Sequence, residues 1–199
     1  YALTAWALWP IPATGVPPGA TGGRPPAAWT AWLLPAAILL HAWIALQDVA
    51  RPDGLDLSLL NAISVVGCLT AAVAWASGLL RTLPAIGTVV LPVAAVAALL
   101  PAILPVIAPA MFVTPHRFAY AGESVAAAHV AVALVSYALF LVAALQALVL
   151  MGLEKRLHRR LPDPGAAGLP PLLTLERFLF RLVAAGFVLL TLTLASGML

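Results

Sequence analysis

Four histidines are spread through the 199 residues, and two of them, His41 and His129, fall inside long apolar runs. An ionisable side chain is costly within a lipid span, so each is first read as a functional group. Neutral imidazole is the form that ligates a metal, and surroundings without water favour it. His41 stands seven residues before Asp48, and His129 six residues after Glu123. At ~1.5 Å of rise per residue, both lie about 10 Å below the same membrane boundary. Two imidazoles at matched depth are candidate axial ligands for one haem iron held between helices. The competing reading is that each ring only hydrogen-bonds a neighbouring helix. His116 falls in the loop above the pair, and His158 lies among Arg156, Arg159 and Arg160.

Other polar groups point less sharply. Asn61, Ser58, Ser64 and Cys68 form a stripe at helical spacing, the usual mark of helix packing in lipid. Cys68 is the single cysteine, which excludes a disulfide scaffold. No P-loop, HExxH, GxSxG or dinucleotide fingerprint occurs, so nothing points to a hydrolase or a nucleotide-driven pump. Without a basic stripe interleaved with aromatics, nucleic acid is excluded as a partner.

The elements that carry these residues follow from composition. The chain is 63% hydrophobic and only 9% charged, with a mean hydropathy of +1.06. A soluble domain carries about 25% charged residues, so there is too little polar surface here for a water-soluble globule. Apolar windows long enough to cross a ~30 Å core fall at roughly 27–47, 57–80, 84–111, 124–152 and 178–198, with a partial one at 1–13. Lipid-exposed backbone must satisfy its own hydrogen bonds, which selects helices, and the alternating pattern of a barrel is missing. The expected fold is an all-α, polytopic transmembrane helical bundle forming one membrane domain. Prolines at 101, 105 and 109 should kink or end the third span early. Thr174 reads as an N-cap for the last span.

Charge sets the expected orientation. Arg24, Arg81, Lys155, Arg156, Arg159, Arg160, Arg177 and Arg181 fall on one side of the alternating spans, against Arg51 and Arg117 on the other. The positive-inside rule then makes loop 153–177 cytoplasmic and loops 48–56 and 112–123 exterior. Tyr1 and Leu199 both sit within apolar runs, so the chain is expected to be a fragment of a longer one.

From about residue 30 onward the chain resembles the cytochrome c assembly protein family, the membrane haem handlers of the CcsA and CcmC type, and most of all its HemX and YpjD branch. The resemblance rests on HAWIAL (41–46), LSLLNAISVV (57–66), HVAVALVSYALFLVAALQAL (129–148) and PPLLTLERFLFRLVAAGFVLLTLTLASG (170–197), in that order and spacing. It implies about eight helices in the whole protein, a bacterial inner-membrane location, and a role in handling haem without bond-making enzyme chemistry. It also implies His41 and His129 as haem-binding residues, and other assembly proteins or an apocytochrome as partners beside the lipid bilayer. The outer loop FVTPHRFAYAGES (112–124) has no tryptophan, a departure from the tryptophan-rich segment of the haem-delivering members. Two other classes compete: a small-solute or ion permease using the proline-rich span as a broken helix, and a scaffold subunit that only packs against a partner.

Overall fold

The computed structural model describes residues 30–51, 54–82, 84–112, 117–118, 124–158 and 172–197. The partial span at 1–13, His116 and most of loop 153–177 lie outside the described residues. The elements run α1 (Thr30–Val49), β1 (Ala50–Arg51), β2 (Gly54–Asp56), α2 (Leu59–Ala76), α3 (Leu79–Thr82), α4 (Pro84–Ile107), α5 (Pro109–Phe112), β3 (Arg117–Phe118), α6 (Ser124–His158) and α7 (Leu172–Ser196). Five of these helices, α1, α2, α4, α6 and α7, are long and apolar enough to cross a membrane. The fold is an all-α polytopic bundle, as its composition requires.

The helices differ from the sequence reading at their ends, each time for a local reason. α2 stops at Ala76, not at residue 80. Its C-cap is Ser77, whose Oγ donates to the Ala74 carbonyl at 3.2 Å, and Gly78 follows at φ +69°. That backbone angle is open to glycine at no steric cost, which places the turn there. The proline-rich span runs through Pro101 and Pro105 and ends at Ile107, with the break at Ala108, inside the 101–109 stretch where its prolines should end it early. Ala108 precedes Pro109, and that ring disfavours helical geometry in the residue before it. α6 continues past the expected boundary at 152 to His158, because GluLysArgLeuHis (154–158) contains good helix formers and no breaker. α7 begins directly after Pro171, so Thr174 is an exposed residue of the first turn and not the N-cap. The expected loop 153–177 therefore loses residues to helix at both ends.

α2 is the hub. It packs on α1, α4 and α6, while α7 packs on α6. At Gly67 a Cβ would collide with Ala97 Cβ, so a hydrogen there is what lets α2 and α4 approach this closely. Ile38, Cys68, Ala71 and Ala94 form a small core beside it. The main core, including Leu79, Leu80, Ile86, Val90, Val142, Leu145, Leu175 and Leu182, gathers around the far end of α2. At the near end, β1, β2 and β3 form a three-stranded antiparallel sheet, with Ala50 opposite Leu55 and Leu55 opposite Phe118. The sheet was not expected from sequence. It holds loops 48–56 and 112–123 at the same end of the bundle.

Candidate functional site

His41 is buried in α1, and its Nε2 lies 3.1 Å from Ser64 Oγ on α2. The same seam carries Cys68, whose Sγ faces the Ile38 carbonyl at 3.7 Å. Asn61 closes the seam at the sheet end: its Nδ2 donates to the Asp48 carbonyl at 3.3 Å and to the Asp56 carbonyl at 3.1 Å. Asp56 in turn accepts from the Ser58 backbone N–H through Oδ1 at 3.1 Å, and Arg51 Nε donates to the Asp48 carbonyl at 3.2 Å. The stripe of Asn61, Ser64 and Cys68 is thus the α1–α2 contact, with His41 as its fourth member. Asn61, Ser64 and Cys68 each find a partner on α1.

His129 occupies a different seam. It is half-buried on α6, and its Nδ1 lies 2.9 Å from Ser196 Oγ on α7. Ser196 Oγ is itself 2.9 Å from the Thr193 carbonyl. A hydroxyl has one proton, so with that proton on the Thr193 carbonyl its oxygen faces the ring as an acceptor. Ser196 must then accept from the ring, which puts the proton of His129 on Nδ1. Nε2 is left with its lone pair. This is the arrangement in which a neighbouring group orients an imidazole and fixes the nitrogen that ligates a metal. The ring also packs on Gly197, where a Cβ would come within 3.1 Å of Cε1.

The α6–α7 seam holds two further polar anchors that sequence reading passed over. Ser136, fully buried, donates to the Gly186 carbonyl at 2.8 Å, next to the Phe140 ring. Gln146, also fully buried, donates through Nε2 to the Leu175 carbonyl at 2.9 Å, while its Oε1 has no partner among the described residues. The spacing 129, 136, 146 on one helix face was the available signal. Ser196 carried none, since nothing in its neighbourhood marks it as a histidine's partner.

The two histidines thus bond to different helices, His41 to α2 and His129 to α7. Neither lines the cleft of about 660 Å³ that opens between α2, α4 and α6. That cleft is walled by Ile63, Val66, Pro92, Val96, Leu134 and Tyr137, among other apolar side chains. It offers almost no polar atom to fix a ligand's orientation. No group of three or more histidine, cysteine or acidic residues placed to hold a metal ion is found among the described residues.

The inner membrane protein YpjD of Escherichia coli K12 is 34% identical over 168 residues, covering 81% of this chain and 59% of the relative. The YpjD proteins of the O6:H1 and O157:H7 strains match to the same extent. The chain therefore spans less than two thirds of the length of the curated relatives it matches. No solved structure matches it. Residues 29–199, which include all five spanning helices and both histidine seams, match the family described as cytochrome C assembly protein, and the chain belongs to that family.

Proposed function

We propose that this chain acts in cytochrome c biogenesis as a multi-pass inner-membrane protein that binds or moves haem, with His129 and His41 each offering an imidazole to iron from its own helix seam. The observation that carries the reading is the hydrogen-bond chain from His129 through Ser196 to the Thr193 carbonyl. It supports a preset imidazole, with Nδ1 protonated and Nε2 free to coordinate, as metal-ligating histidines usually are. Family membership supplies the role, and the inner-membrane name of the curated relatives supports the location.

Haem, when bound, would supply a redox-active iron that an imidazole can ligate. The residues do the rest. Ser196 holds the ring of His129 in one tautomer. His41 is held through Nε2 by Ser64, so ligation through that nitrogen requires Ser64 to yield its bond. The role is binding and orientation, not bond-making catalysis. In this reading the sheet end faces the exterior and loop 153–177 the cytoplasm, as the basic residues favour. Partners are then other assembly proteins or an apocytochrome approaching from the sheet end.

The test is the absorption spectrum of the purified chain with haem. A Soret band that is lost or shifted in His129→Ala and in His41→Ala is the expected result. A spectrum unchanged in both variants reduces the histidines to contacts between helices and overturns the ligand assignment.

A further inference from the structure

α7 turns one face to α6 and leaves another uncovered among the described residues. Its buried side chains Leu175, Leu182, Gly186 and Thr193 form one stripe at heptad-like spacing, the stripe that meets α6. Well around the helix from it, Thr174, Arg177, Arg181, Ala185, Val188 and Leu192 share a second stripe, and every one of them is exposed. The polar members are all at one end. Glu176, the acidic residue nearest in sequence, stands about 140° around the helix from Arg181 at ~100° per residue.

The level of those arginines in the membrane is fixed by their neighbours. Leu175 and Leu182, which bracket them, pack in the same core as Leu79 and Leu80, just beyond the turn that ends α2. α2 itself, 18 residues from the sheet end to that turn, spans about 27 Å, close to a full ~30 Å hydrocarbon core. Arg177 and Arg181 therefore sit at the boundary opposite the sheet, where headgroups lie. From Arg181 to Leu192 the stripe is wholly apolar and runs eleven residues toward the sheet end, about 16 Å, or half the core.

We infer that this face of α7 binds one anionic phospholipid of the leaflet opposite the sheet, its phosphate held by Arg177, Arg181 and Thr174 and its acyl chains lying along Ala185, Val188 and Leu192. Two guanidinium groups four residues apart repel each other unless an anion lies between them. Their planar forks match phosphate oxygens two at a time, and the Thr174 hydroxyl adds a third donor. The N-terminal end of α7 lies on the same side and adds its positive dipole end. Exposed Phe180 and Phe187 form a ridge further around the helix, on the side of the stripe away from α6, and the small side chain of Ala185 leaves room on the stripe itself. A phosphate followed by half a bilayer of hydrocarbon is the shape of one lipid in one leaflet. A purely apolar helix partner would leave both charges without a counterion.

The test follows the thermal unfolding midpoint of the full chain in zwitterionic micelles titrated with phosphatidylglycerol, which gives an apparent dissociation constant. The wild-type midpoint should rise with phosphatidylglycerol and stay level with added phosphatidylcholine or with inorganic phosphate. Each of Arg177→Gln and Arg181→Gln should weaken the response about fivefold, and the pair about thirtyfold, by the gain each basic side chain makes near an anionic surface. Arg177→Lys with Arg181→Lys should keep most of the response, which guards against a glutamine pair that fails to fold. Ala185→Phe, with both arginines intact, should weaken it as well. Equal response to both lipids in the wild type, or an undiminished one in the glutamine pair, overturns the proposal. So does a glutamine pair that instead disrupts an oligomer, since the face would then belong to a carboxylate-bearing helix.

Discussion

One hydroxyl decides which nitrogen of His129 is available. Because Ser196 gives its only proton to the Thr193 carbonyl, removing that hydroxyl frees the ring to change tautomer and to rotate. Ser196→Ala should therefore lower haem affinity by about tenfold or more, as loss of such orienting partners commonly does. The fold should be undisturbed, since Ser196 is exposed near the end of α7. An unchanged haem titration in Ser196→Ala would show that the orientation of this ring does not matter. Gln146 poses the opposite case. Its Nε2 bond reaches a carbonyl that already lies within a helix, while Oε1 is buried with no donor among the described residues. Removing both atoms together abolishes an unmet desolvation cost, so Gln146→Leu should be neutral or stabilising, by up to about 1 kcal/mol. Ser136→Ala should instead cost about 0.6 kcal/mol, the mean for a hydrogen bond between membrane helices. Thermal unfolding in one detergent checks both, and a larger loss for Gln146→Leu than for Ser136→Ala reverses the argument. His41 and His129 were legible from sequence because a titratable group in an apolar run stands out. Their partners were not, since serine is common in membrane helices and only the fold says which one faces which ring.

At the scale of elements, the α2–α4 contact is set by the smallest side chains in the chain. Gly67 faces Ala97 so closely that any Cβ must push the helices apart. Gly67→Val should cost about 1–3 kcal/mol, the range for overpacking. It should also widen the cleft that Gly67 and Ala97 help to line. A Gly67→Val variant as stable as the wild type would mean that this contact is not maintained in the membrane. The number and type of spanning helices were readable, because hydrophobic length and backbone hydrogen bonding leave one answer in lipid. Their ends were not. Gly78 and the proline pair before Leu172 each moved a boundary, and a hydropathy window averages over such single residues; only the early end before Pro109 was readable. The same averaging hid the continuation of α6, whose last turn is charged but still helical.

For the whole molecule, the alternation of spans makes a claim about sides. The sheet joins the two loops that the charge pattern assigned to one side, so both belong at one end of the bundle. In a Cys68→Ala background, Ala50→Cys and Lys155→Cys should label from opposite faces of intact cells. An impermeant reagent that reaches both sinks the topology. Cys68 itself can be replaced at small cost, as its only hydrogen-bond contact among the described residues is the 3.7 Å approach to the Ile38 carbonyl. The sheet had no warning in the sequence. Strands of two or three residues carry too little pattern to stand out, and their pairing partner lies on a different loop.

That sheet also sets an order of events. β2 ends at Asp56 and its partner β3 begins at Arg117, so 60 residues and two further crossings separate them. During synthesis, α1, β1, β2 and α2 can settle as a local hairpin, but the outer strand cannot arrive until α4 has been threaded across the bilayer. The β3 pairing is a non-local closure, slow to form by its nature. Until it forms, β2 keeps an open row of backbone donors and acceptors on one side. The last strand of this small sheet thus works as a clasp, fastened only after the central helices are in place, and a chain halted before Arg117 would remain unfastened at that end.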